Sequence, residues 1–287
     1  MNTSEVKIIE CPRDAMQGIK EFIPTERKIA YINKLLKVGY HSIDFGSFVS
    51  PEVIPQMADT AQVLDGLVFN EQQTKLIAII ANERGAIEAC KHARIQYLGF
   101  PFSISETFQR RNANSTIAQS VERVKRIKEL CDQSKKELIL YVSMGFGNPY
   151  GDPYNPEIVS HWISELKVLG IKVFMLSDTV GVALPDTIRY LFSSLIPAFP
   201  DLEIGAHLHT APHNWKVKVD AAYENGCRRF DAAIKGYGGC PMAKDELIGN
   251  MATENLINYF SAEQLGSQLS IANFEESLRE ANTIFPH

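Results

Sequence analysis

Ile204-Gly205-Ala206-His207-Leu208-His209 decides how the rest of the chain reads. The run has strand character, and its two histidines stand two residues apart. Side chains at i and i+2 of a strand leave the same side, roughly 6–7 Å apart. Helical patterns flank the run, 185–196 before it and 214–225 after it, and the alternation continues to both ends of the chain. Strand-like runs fall at 6–11, 41–48, 75–80, 95–102, 138–143, 173–177, 203–209 and 229–234. Helical patterns fall at 25–38, 55–66, 83–92, 116–134, 156–169, 185–196, 214–225 and 253–260, several of them ending in glycine at Gly39, Gly170 and Gly226.

Eight strand–helix pairs in this length predict an α/β chain folded as a closed (β/α)8 TIM barrel. A doubly wound open sheet competes, but it usually needs fewer strands. No Gly-x-Gly-x-x-Gly follows the first strand, and there is no Gly-Lys-Ser/Thr loop. Residues 1–287 read as one catalytic domain. The tail 262–287 reads as a C-terminal helical extension, helical at 274–283, packed on the outside of the barrel.

Composition narrows the function. The chain has 287 residues, 45% of them hydrophobic and 22% charged, with net charge −5 and no basic block, which argues against nucleic-acid partners. No apolar run reaches membrane-spanning length, and the polar N-terminus lacks an apolar signal core, so a cytoplasmic location is expected. Five scattered cysteines, Cys11, Cys90, Cys131, Cys227 and Cys240, read as reduced thiols. Cys240 differs from the others by sitting in Gly238-Gly239-Cys240-Pro241.

A barrel of this type carries its site at the carboxyl ends of the strands. Polar residues gather there: Arg13-Asp14, Asp44 with Ser47, Asn82, Ser103, Ser143, Ser177-Asp178-Thr179, His207 with His209, and after the last strand Cys240 and Asn250. Asp14, His207, His209 and Asn250 offer two oxygens and two imidazole nitrogens. That set suits an octahedral Mg²⁺ or Mn²⁺ and does not exclude Zn²⁺, Co²⁺ or Fe²⁺. The histidine pair alone fits hydrogen bonding at a strand end equally well. Arg13 is either a surface ion pair or a donor to developing oxyanion charge. Asp178 is either a turn or N-cap residue or a group that orients or acts as a base. Cys240 is either a small residue in a tight turn or an acid/base thiol on a closing loop.

Pro12-Arg13-Asp14, Ser47-Phe48-Val49-Ser50-Pro51 with Pro55-Gln56-Met57, Ser177-Asp178-Thr179-Val180-Gly181, His207-x-His209, Gly238-Gly239-Cys240-Pro241 and Gly249-Asn250-Met251-Ala252-Thr253-Glu254 occur in this order. With them the chain resembles the hydroxymethylglutaryl-CoA lyase family, one of the metal-dependent lyase and aldolase-type barrels that include isopropylmalate synthase. The resemblance implies a divalent cation on Asp14, His207, His209 and Asn250, and Arg13 at the thioester carbonyl. It implies Cys240 as proton donor to the departing acetyl-CoA enolate, with Asp178 and His207 as supporting acid/base groups. Arg13, Asp44, Ser143 and Thr179 are the expected substrate contacts. The expected partner is an acyl-CoA substrate, and a homodimer or higher homo-oligomer is expected by analogy.

The chain departs from the family at Asp44, where the family has glutamate, at Thr210, where it has aspartate, and at Ala15-Met16, Ala211-Pro212-His213-Asn214 and 242–248. The first reading is therefore cleavage of 3-hydroxy-3-methylglutaryl-CoA to acetyl-CoA and acetoacetate. The alternatives are a related barrel acting on another 3-hydroxy-acyl-CoA or hydroxy-oxo-acid, a barrel that binds metal and ligand without turnover, and a two-histidine-one-carboxylate iron oxygenase, which leaves the cysteine loop unexplained.

Overall fold

In a computed structural model, which describes residues 5–68, 73–239, 248–265 and 269–285, the predicted strands close on themselves. The strands are β1 (Lys7–Glu10), β2 (Ser42–Ser47), β3 (Lys75–Ile79), β4 (Tyr97–Ser103), β5 (Glu137–Ser143), β6 (Val173–Ser177), β7 (Glu203–His207), β8 (His209–Thr210), β9 (Arg229–Ala232) and β10 (Gly249–Asn250). Eight of them form a closed barrel in the order β1-β2-β3-β4-β5-β6-β7-β9, with parallel pairing. β8 and β10 form a separate two-stranded antiparallel sheet.

The period of two along each strand sorts the core into two layers. Ile9, Ile77, Ile79, Ile139, Tyr141, Val173 and Met175 fill the barrel interior. Their neighbours Ile8, Leu76, Ala78, Leu138, Leu140, Phe174 and Leu176 join the core under the helices. Both faces are buried, which is why these strands read as unbroken apolar runs.

Four local departures from the sequence reading have physical causes. The run 203–209 is broken at Leu208, because the β6–β7 ladder ends at Ser177↔His207 and His209 has no barrel strand to pair with. His209 pairs with Asn250 instead. The segment 55–66 splits into a 3-10 turn, Pro55–Met57, and a helix, Thr60–Asp65. The Thr60 hydroxyl donates to the Met57 carbonyl and accepts from the Ser47 amide, so it tethers the break to β2. Pro12–Gln17 and Glu106–Ala113 are helices that the pattern did not announce. The first is too short to show a period, and the second is polar apart from Phe108 and Ala113.

In the tail, helix Ile271–Ile284 packs on helix Thr25–Leu36 outside the barrel. Ser270 caps its start by accepting from the Asn273 amide, and Lys34 pairs with Glu280 at 2.5 Å. Beyond its end, Phe285 meets Tyr31 edge-on and stacks on Tyr237 at 4.4 Å between ring centroids.

Candidate metal centre

Helix Pro12–Gln17 begins where β1 ends, with Pro12 in the first turn, where no amide hydrogen is needed. It presents Arg13, Asp14 and Gln17 together. Arg13 Nη1 donates to Asp14 Oδ1 at 2.9 Å and to Gln17 Oε1 at 2.8 Å. Its Nε and Nη2 grip the Asp44 carboxylate at 2.9 and 2.5 Å. Of the guanidinium's five hydrogens, these bonds leave one on Nη2. Gln17 Nε2 returns a bond to Asp14 Oδ1 at 2.8 Å.

Asp14, His207 and His209 each bring one donor atom to within 4.8 Å of the others. The two imidazoles lie 5.4 Å apart by ring centroid. Asn250 completes the cluster: its Nδ2 donates to Asp14 Oδ2 at 2.6 Å and to the Tyr237 carbonyl at 2.8 Å. Both amide hydrogens are thereby used, so Oδ1 is the atom left to face a cation. A Cβ at Gly238, where φ is +87°, would stand 2.7 Å from the Asp14 carbonyl oxygen and 2.8 Å from Asn250 Nδ2. Only glycine lets that loop close against the cluster.

The two histidines have different surroundings. His207 Nδ1 bonds Asp231 Oδ2 at 3.0 Å, which leaves Nε2 for a ligand. Burial opposes a charged His207 ring, but the Asp231 bond and charge, helped by Asp14, carry its pKa above the usual value. For His209, burial and then the neighbouring His207 push the pKa down to about 3, so the ring is neutral and able to donate a lone pair. Its Nδ1 is buried without a hydrogen bond of good geometry, and the Thr179 carbonyl offers only a looser contact. Burial would raise the Asp14 carboxyl, yet Arg13, His207 and Asn250 hold it below the usual range. Burial lifts Asp44 to about 6 against the pull of Arg13.

These features fit a divalent ion. Two buried carboxylates, Asp14 and Asp44, share the Arg13 guanidinium, a third, Asp231, backs His207, and an oxygen–imidazole donor set converges beside them.

The structure thus brings together Arg13, Asp14, Asp44, His207, His209 and Asn250. Thr179 lies on the rim with its hydroxyl accepting from the Met144 amide at 2.8 Å, and Ser143 ends β5 beside Ser103. Asp178 lies behind the histidines: its oxygens accept from Lys218 Nζ at 2.8 Å and the Ala183 amide at 2.9 Å. Cys240 lies outside the described residues. Asp231, Gln17 and Lys218 were not singled out from the sequence. For Asp231 a signal existed, since an acid between Phe230 and Ala232 in a barrel strand must face inward.

A closed (β/α)8 barrel with a carboxylate and two histidines at its rim, and an arginine bonded to that carboxylate, defines the class of metal-dependent lyase and aldolase-type barrels. Within it, the chain belongs to the HMGL-like family, whose profile matches residues 5–280. It is 32% identical to the hydroxymethylglutaryl-CoA lyase of Pseudomonas mevalonii, over 88% of this chain and 83% of that one. It is 30% identical to a 3-hydroxy-3-isohexenylglutaryl-CoA/hydroxymethylglutaryl-CoA lyase of Pseudomonas aeruginosa, over 88% and 84%. The structure of an HMG-CoA lyase from Acinetobacter baumannii, in complex with coenzyme A and 3-methylmalate, superposes with a TM-score of 0.89 at 30% identity, covering 99% of this chain and 92% of that one.

Proposed function

We propose that the protein is a carbon–carbon lyase that cleaves 3-hydroxy-3-methylglutaryl-CoA to acetyl-CoA and acetoacetate, with a divalent cation held by Asp14, His207, His209 and Asn250. The observation that carries the reading is the convergence of Asp14, His207 and His209 beside Arg13, in a chain of the HMGL-like family. When bound, the ion supplies Lewis acidity that makes the substrate's tertiary hydroxyl easier to deprotonate. Mg²⁺ or Mn²⁺ suits the mixed oxygen–imidazole donor set.

His207 would hold the ion through Nε2 while Asp231 orients its ring at Nδ1, and the hydroxyl proton passes to solvent. As the carbonyl forms, the bond between C2 and C3 breaks and its electron pair passes into the thioester as an enolate. Arg13 meets that oxygen charge with the remaining Nη2 hydrogen, and the Asp14, Gln17 and Asp44 bonds fix the guanidinium in place beforehand. Cys240 returns a proton to C2 of the enolate, completing acetyl-CoA. Ser143 and Thr179 line the far rim as substrate contacts. The cytoplasmic location and the homo-oligomer belong to the same proposal. Among the described residues, no helix is long and apolar enough to cross a membrane.

A second reading keeps the chemistry and enlarges the acyl branch. A cavity of about 470 Å³ lies beside Gln17 and Gly238, walled by Ile19, Val53, Ile54, Tyr237 and Phe285. One relative's name includes a branched isohexenyl substrate.

Purified protein with Mn²⁺ and a thiol reductant should release acetoacetate from hydroxymethylglutaryl-CoA. In the same assay, Cys240→Ser should lose at least about 100-fold in kcat with little change in KM. Acetoacetate absent while a longer-branched ester is cleaved would select the second reading; no cleavage across a panel of acyl-CoA esters would remove both.

A further inference from the structure

Lys218 is a buried cation, 3% exposed, on helix Trp215–Tyr223. Its Nζ donates to Asp178 Oδ2 at 2.8 Å and to the backbone carbonyl of His209 at 2.7 Å. Asp178 is equally buried, and its other oxygen accepts from the Ala183 amide at 2.9 Å. The backbone amide of Asp178 donates to the carbonyl of His207 at 2.9 Å. The Asp–Lys pair therefore holds the main-chain carbonyl of His209, while the backbone at Asp178 holds that of His207.

The two carbonyls need different partners. His207 ends a barrel strand and is still reached from the neighbouring β6 segment. His209 lies beyond that ladder, so no amide of β6 reaches its carbonyl. The ammonium supplies the missing donor. A buried ion pair is a poor source of stability, because desolvation offsets most of the attraction and a well-packed neutral pair does as well or better. What the pair supplies is a fixed anchor for the backbone from which the His209 ring projects.

We propose that Lys218 and Asp178 are a positioning pair that sets the His209 imidazole for metal binding through its backbone carbonyl. The inference rests on the metal reading above. It assigns neither residue a contact with substrate.

The test measures Mn²⁺ affinity by calorimetry and the thermal midpoint of the metal-free full chain. Lys218→Met leaves Asp178 buried and uncompensated, so the midpoint should fall. Lys218→Met with Asp178→Asn removes both charges, and most of the lost midpoint should return. Mn²⁺ affinity should stay down about 10–100-fold in both, as for other residues that orient metal ligands. Affinity within twofold of wild type in the double variant would show the pair to be structural only and overturn the proposal. If the methionine variants do not fold, Lys218→Gln decides, because it keeps a donor but is one atom too short to hold both acceptors. Weakened Mn²⁺ binding at a near-native midpoint supports the pair, and unchanged binding overturns it. Wild-type protein that takes up no Mn²⁺ would overturn the metal reading itself.

Discussion

Asp231 shows how much a single side chain decides at this site. It fixes the His207 tautomer through Nδ1 and raises the ring's basicity, so it governs both ion affinity and proton competition. Asp231→Asn should weaken Mn²⁺ binding about 10–100-fold by calorimetry. Because His207 titrates above its usual value, Mn²⁺ uptake by the wild type should strengthen as pH rises through the region above 6.5. Removing the anion lowers the His207 pKa, so the variant's uptake curve should move to lower pH. Glu10 provides a second titration, away from the metal ligands. Burial pushes its carboxyl up to about 8, while its oxygens accept from the Thr253 hydroxyl at 2.5 Å and the Ile234 amide at 2.9 Å. The native state therefore holds a proton that the unfolded chain loses near 4.5. This group's contribution is fully present below 4.5 and is lost as pH climbs through about 8. Urea titrations of Glu10→Gln should show a flatter fall of stability over that window than the wild type; parallel curves would mean that Glu10 is ionised in the fold. Asp14, His207, His209 and Asn250 could be picked out because each stands at a strand end. Lys218 could not, since a lysine in Trp215–Tyr223 reads as a solvated helix position until the fold buries it.

The same contrast holds at the scale of elements. The barrel strands were legible because both faces are buried and the apolar runs are unbroken. The helix Pro12–Gln17 and the β8–β10 pair were not, because six residues and two residues carry no period. These short elements are the ones that deliver Arg13, Asp14, His209 and Asn250. The C-terminal helix acts on them indirectly. Phe285 stacks on Tyr237, and the Tyr237 carbonyl accepts from Asn250. Phe285 is buried, so Phe285→Ala should cost roughly 2–4 kcal/mol in urea unfolding, near the lower end of the usual range for buried aromatics because the residue lies beyond the end of the last helix. It should also weaken Mn²⁺ binding, by loosening the carbonyl that fixes the Asn250 amide. A stability loss of that size with unchanged Mn²⁺ affinity would show that the tail braces only the helix layer.

Across the whole molecule, the cluster joins residues 236 positions apart, since Asp14 Oδ2 and Asn250 Nδ2 meet at 2.6 Å. The ends of β1, β7, β8 and β10 thus share one site, although no pair of adjacent barrel strands could build it alone. An ion bound there exists only for the folded chain, so its binding free energy adds to the stability of the entire barrel. At a free Mn²⁺ concentration 100 times the dissociation constant, that addition is about 2.7 kcal/mol. A chain of this length gains roughly 2 °C in thermal midpoint per kcal/mol. Scanning calorimetry should therefore show a rise of about 5 °C on Mn²⁺ saturation, reversed by excess chelator. His209→Ala removes a ligand and should abolish most of the rise, whatever it does to the metal-free midpoint. A full rise in His209→Ala would place the stabilising ion elsewhere on the protein and would separate the barrel's stability from the chemistry proposed at its rim.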